Sequence, residues 1–239
     1  MKLYLKGLRH GVPIAVGYLS VSFAFGIQAT NAGLTSLQAV LISLMNVTSA
    51  GQLAGLNLMV GGAGLIEMAL TQLTINLRYA LMSLSLSQKL DKTMTLPHRI
   101  LLSFCNTDEV FVVASQQPGK VGRVYLYGLT NGPFLGWVLG TALGALAGGI
   151  LPASVSAALG IAIYGMFIAI VLPPFRRNKE VRIVLIISVI MSCIISLVPL
   201  FKFISGGFRI ILCAVTASAI GAWLMPVRDE ENEAEEALE

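Results

Sequence analysis

Acidic side chains are scarce in this chain. Outside 229–239 there are only five: Glu67, Asp91, Asp108, Glu109 and Glu180. Charged residues of both signs make up 12% of the 239, against about 25% in a soluble globular domain, so a separate soluble domain has no room to form. Histidine occurs twice, and the three cysteines, Cys105, Cys193 and Cys213, stand apart in apolar surroundings. An odd, unclustered set lacks metal-site spacing and reads as small packing residues. The chain also has no phosphate-cradling glycine loop and no nucleophile beside a base. An enzyme is therefore not expected, and neither is a metal or an organic cofactor.

What fills the chain is apolar: 56% of residues are hydrophobic, in recurring runs of about 20, the length that crosses a bilayer. The expected fold is an all-α polytopic membrane protein with about eight apolar helical segments. These lie at 11–30, 36–60, 63–88, 98–117, 121–150, 154–173, 180–200 and 207–225, separated by Gly, Pro and Asn breakers. Lys2, Lys6 and Arg9 precede a first run of full membrane length without a small-residue cleavage site, which reads as an uncleaved first helix. Residues 1–228 are expected to form one transmembrane transport domain, and 229–239 an acidic, disordered cytoplasmic tail. Weak Gly-rich similarity between the starts of the two halves permits an internal structural repeat.

Residues 1–228 carry 16 Lys/Arg against five acids, a net +11, while 229–239 holds seven acids and no base. The bases orient the chain in the bilayer, and nucleic acid is not an expected partner. If all eight segments crossed with the N-terminus inside, ten bases would lie inside and five outside. If 36–60 and 98–117 instead enter and return, thirteen lie inside and only Lys202 and Arg209 outside. The positive-inside rule prefers the second arrangement, with both termini cytoplasmic. Those two segments also have the least helical centres, Thr48-Ser49-Ala50-Gly51-Gln52 and Asn106-Thr107-Asp108-Glu109. Irregular backbone at bilayer depth is tolerated only inside protein or along a cavity, so both segments read as broken or reentrant.

Glu67, Asp108, Glu109 and Arg78 all lie within membrane-length runs, where ionisable groups mark an ion or substrate path. Glu67, Thr71, Thr74, Arg78 and Ser85 fall within about 60° of one another on a helical wheel, a stripe that should face protein or a watery cavity. Glu67 and Arg78 are about 16 Å apart along a helix and cannot pair, so Arg78 needs Asp108 or Glu109 as its anion. That pair can be a structural bolt or part of a ligand site. In Asn76-Leu77-Arg78-Tyr79 an unwound helix would let Asn76 and Arg78 address one ligand, and a guanidinium fork suits a carboxylate. Asn106 or Thr107 can cap a half-helix whose first turn holds Asp108 and Glu109. Burial and a neighbouring arginine act oppositely on a carboxyl group, so one of these acids can be poised to exchange a proton. Ser49-Ala50-Gly51-Gln52 offers free backbone amides to an anion, or close helix packing through small residues. His10 and His98, beside Arg9 and Arg99, read as interfacial residues.

The order Gly11–Pro13, Phe23–Gly26, Ser49-Ala50-Gly51-Gln52, Asn76-Leu77-Arg78-Tyr79, Ser83–Ser87, Thr107-Asp108-Glu109, Trp137 and Met166-Phe167-Ile168-Ala169 resembles the AzlC family over roughly residues 7–175. These are large subunits of bacterial branched-chain amino-acid exporters. Two positions depart from the family pattern: Tyr79 stands where many members have histidine, and Gly160-Ile161-Ala162 lacks an acid often found there. The resemblance implies proton-driven antiport of leucine, isoleucine, valine or similar apolar amino acids out through the cytoplasmic inner membrane. It also implies a small hydrophobic partner subunit of the AzlD type. On this reading Ser49, Ala50, Gly51, Gln52, Asn76, Arg78 and Tyr79 form the substrate site, and Asp108, Glu109 and Glu67 couple protons. A non-transporting scaffold subunit and a small-solute channel are the competing readings.

Overall fold

A computed structural model describes residues 2–148, 154, 168, 171–172, 175–201 and 203–225. The acidic tail at 229–239 and most of the expected segment 154–173 lie outside the described residues. The described residues are helical: α1 Lys2–Asn31, α2 Ser36–Met45, α3 Ser49–Val60, α4 Leu65–Ser87, α5 Leu96–Ser103, α6 Asp108–Ser115, α7 Arg123–Ala147, α8 Lys179–Leu197 and α9 Gly206–Leu224. Among the described residues, α1, α8 and α9 are long and apolar enough to cross a membrane. The chain divides into two compact units, one of residues 1–62 and 75–167, the other of 63–74 and 168–239.

The first unit is built on α1 and α7. Gly7 meets the backbone of Tyr125 and Leu129, Gly26 that of Thr141 and Ala145, and on the facing helix Gly144 meets the Phe23 carbonyl. Residue numbers rise together along this seam, so the two helices run parallel. A Cβ at any of these positions would collide with backbone, and small residues at four-residue spacing are what let membrane helices approach so closely. Pro133 lies inside α7 and Pro13 inside α1.

The C-terminal end of α4 returns to where α7 begins: Leu90 bridges Val121, and Lys89 Nζ donates to the Ser115 carbonyl. Within this unit α4 therefore runs against α1 and α7. The segment 98–117 consists of α5 and α6, joined by a non-helical stretch at Phe104–Thr107. His98, in α5, contacts Tyr127 at 3.0 Å and Arg123 at 2.9 Å, while Gln117, just past α6, reaches His10 at 3.5 Å. Both ends thus lie at the end of the unit where α1 and α7 start.

The segment 36–60 does the same from the opposite end. Ser36 Oγ donates to Ala145 O at 3.3 Å, Ser43 meets Thr141 at 2.6 Å, and the Asn46 carbonyl accepts from Trp137 Nε1 at 3.1 Å. After the break, α3 climbs back, and its Leu53 and Leu56 pack with Phe25, Ala29 and Ala145. Eight-residue helices such as α5 and α6 span only about 12 Å, well short of the roughly 30 Å apolar core of a bilayer.

Local chemistry explains the breaks. Gly33, at φ 94°, ends α1 in a conformation glycine adopts without strain, and Thr35 with Gln38 forms a reciprocal cap on α2. Thr48 Oγ1 accepts the Gly51 N–H at 3.2 Å and starts α3. The interruption is therefore at Asn46–Thr48, and Ser49-Ala50-Gly51-Gln52, expected to be the irregular stretch, is the first turn of α3. Pro97 sits in the first turn of α5, where its missing N–H costs no bond.

In the second unit, α8 and α9 pack together, and Arg209 on α9 donates to Ser196 Oγ at 2.9 Å. The start of α4 joins them. Glu67 accepts from Ser205 Oγ and from the Gly207 N–H, the latter at 2.9 Å. A carboxylate at a helix N-terminus is favoured by the helix dipole.

Candidate functional site

The two interrupted segments enter the first unit from opposite ends, and their tips meet. Asn46 and Thr48 from one tip, Asn106 and Thr107 from the other, and Asn76 and Tyr79 from α4 line a cavity of about 160 Å³. The N-termini of α3 and α6 both lie at this cavity. The first amides of a helix have no intrahelical acceptor, and the aligned peptide dipoles leave partial positive charge there, which suits a carboxylate.

Side chains of α1 and α7 tie one tip to the other. Trp137, 2% exposed, holds the Asn46 carbonyl and stacks edge-to-face on Tyr18 at 5.3 Å between ring centroids. The Tyr18 hydroxyl donates to Glu109 Oε2 at 2.5 Å. Asn46 Oδ1 also accepts the Thr48 N–H at 3.0 Å, closing a local turn at the first tip. At the second tip Asn106, 6% exposed, donates from Nδ2 to Ser83 Oγ at 2.9 Å, and its Oδ1 has no hydrogen-bond partner.

The arginine finds its anion beside this cavity. Arg78 Nη2 lies 2.9 Å from Asp108 Oδ2, with the two side chains 46% and 40% exposed. The guanidinium also stacks on Tyr79, its Cζ 4.9 Å from the ring centroid, and Nη2 donates to the Tyr79 hydroxyl at 3.1 Å. Of the two candidate acids Asp108 takes the arginine and Glu109 takes Tyr18.

The residues singled out in the sequence separate into three groups. Asn76 and Tyr79 form the cavity wall, with Arg78, Asp108 and Glu109 around it and Ser49 and Ala50 in the first turn of α3. The helix does not unwind at Asn76–Tyr79, because α4 is continuous over Leu65–Ser87; Asn76 and Tyr79, three residues apart, share the cavity face instead. Gln52 is 2% exposed: its Nε2 donates to Ser43 Oγ at 2.5 Å, its Oε1 has no hydrogen-bond partner, and Ser43 in turn meets Thr141, fastening α2, α3 and α7 together. Glu67 lies in the second unit against Ser205 and Gly207. Sequence reasoning missed Tyr18, Ser43 and Asn46. Only Asn46 left a readable signal, since Asn-x-Thr favours a turn in which the amide accepts a backbone N–H.

The sequence model of the AzlC protein family matches residues 13–151. The chain is 27% identical to the inner membrane protein YgaZ of Escherichia coli over 234 residues, covering 95% of this chain and 94% of that one. It is 35% identical over 182 residues to an uncharacterized membrane protein of Archaeoglobus fulgidus, covering 75% and 79% of the two. A second uncharacterized membrane protein, from Helicobacter pylori, is 25% identical over 62% of the chain and 65% of its own length. No solved structure matches the chain.

Proposed function

Since the chain belongs to the AzlC family, we propose that it is the large subunit of an exporter of branched-chain or similar apolar amino acids, driven by proton antiport. Its partner is a small hydrophobic AzlD-type subunit, and its place is the bacterial inner membrane. The end of the first unit that gathers Lys2, Lys6, Arg9, Lys89, Lys92, Arg99, Lys120 and Arg123 faces the cytoplasm under the positive-inside rule.

The observation that carries this reading is the Arg78–Asp108 ion pair at the meeting point of two interrupted helices. A zwitterion bears the complementary pair of charges. It can insert between the two side chains, its carboxylate on the Arg78 fork and the α3 amides of Ser49 and Ala50, its ammonium on Asp108. No charge is left unpaired in the exchange. A protonated Asp108 cannot hold the ammonium, so proton and substrate exclude one another, as antiport requires. Glu109, held by Tyr18, lies next to Asp108 and keeps a second carboxyl group at the same tip.

The deciding experiment is counterflow of radiolabelled valine and leucine in proteoliposomes, with and without the small subunit and with an imposed pH gradient. Saturable uptake that runs uphill with the gradient supports the proposal. Non-saturable flux would indicate a channel, and no flux with either composition would indicate a scaffold.

A further inference from the structure

A second cavity, of about 150 Å³, adjoins the first and shares Ser103 and Asn106 with it. Its surface is more apolar, although Arg99, Ser83, Ser87 and Thr130 also border it. Leu86, Met94, Leu102, Val110 and Leu126, all under 10% exposed, form its walls. Asn106 stands at the divide, buried, with its amide nitrogen engaged by Ser83 and its carbonyl oxygen unpartnered. A buried amide oxygen without a donor costs about 1–3 kcal/mol, a cost that a ligand N–H would relieve.

An apolar amino acid has this same division, with charged groups and a hydrocarbon group on one carbon. We propose that the apolar cavity is the subsite for the substrate's side chain, with Asn106 Oδ1 accepting from its ammonium at the partition and Leu102 limiting side-chain size. This rests on the amino-acid reading above. An apolar cavity of about 150 Å³ takes up a benzene molecule, so four-carbon branched groups and a thioether fit, a phenyl ring fills it, and an indole is excluded.

The test uses the full chain, reconstituted with its small subunit, and measures affinities for alanine, valine, leucine, phenylalanine and tryptophan. Leu102→Phe narrows the cavity and should lower the leucine-to-alanine affinity ratio by about tenfold or more, the scale of one or two methylenes in an apolar pocket. Leu102→Ala widens it and should raise the phenylalanine-to-leucine ratio by a similar factor. If Leu102→Phe disturbs folding, judged by its melting curve, the widened variant decides alone. Asn106→Leu should weaken all five ligands together and leave those ratios as they were. Ratios unmoved by either Leu102 variant, or a wild-type protein that binds tryptophan as well as leucine, would overturn the subsite while leaving amino-acid export standing. A wild-type protein that binds none of the five removes both readings.

Discussion

Asp108→Asn preserves the shape of the side chain and removes its charge. The ion pair with Arg78 is short, at 2.9 Å, but the side chains are 46% and 40% exposed, so screening leaves it worth about 1 kcal/mol or less to folding. A loss of that size shifts the melting midpoint of a chain this long by about 2–4 °C. Binding should suffer far more. An ammonium deprived of a charged acceptor forfeits about 1.5–3 kcal/mol, which is about a ten- to 150-fold loss of affinity. Because asparagine imitates a carboxyl that never gives up its proton, the variant should also lose acceleration by a pH gradient. The assay is uptake of labelled valine into proteoliposomes across a range of gradients, paired with a thermal melt of the same preparation. Wild-type uphill transport by Asp108→Asn, with its pH dependence intact, would refute the proposed exchange of ion pair for zwitterion.

Arg78→Lys keeps the charge but loses the two-pronged donor and much of the contact with Tyr79, so substrate affinity should fall about tenfold; an unchanged dissociation constant would refute the carboxylate clamp. Exchanging the two residues, Arg78→Asp with Asp108→Arg, should restore the melting midpoint and leave transport dead, whereas restored transport would mean the pair only fastens helices. Glu67→Gln should cost about 1 kcal/mol through the weakened N-terminus of α9 and keep proton coupling, and a pH-independent yet fully stable variant would contradict that. Gly144→Val drives a side chain into the Phe23 backbone and should cost about 1–3 kcal/mol or more, seen as a lowered melting midpoint or loss of folded protein; an unaltered melt would rule out the α1–α7 seam.

Residue order made several of these features readable in advance. The long apolar runs announced helices because each peptide group in a bilayer must find its hydrogen bond within the chain. The scarcity of acids made Arg78, Asp108 and Glu109 conspicuous, and the clustering of bases singled out 36–60 and 98–117, both of which are interrupted. Less visible was where the first interruption falls. Thr48 is a good cap, Ala50 and Gln52 are good helix formers, and together they made Ser49–Gln52 the first turn of a helix. The buried contact of Gln52 with Ser43 was likewise invisible, because no sequence pattern announces that two side chains on either side of a break will meet.

Sequence alone determined that this chain lives in a membrane, that a few charges lie within its apolar runs, and that a guanidinium there needs a carboxylate. Those follow from transfer free energies, which each residue carries with it. Only the tertiary structure decided which carboxylate: Asp108 for Arg78, Tyr18 for Glu109, and the start of α9 for Glu67. Pairing depends on how tips from opposite ends of the unit converge, and that is set by glycine contacts between α1 and α7, whose contacting residues lie more than a hundred positions apart along the chain.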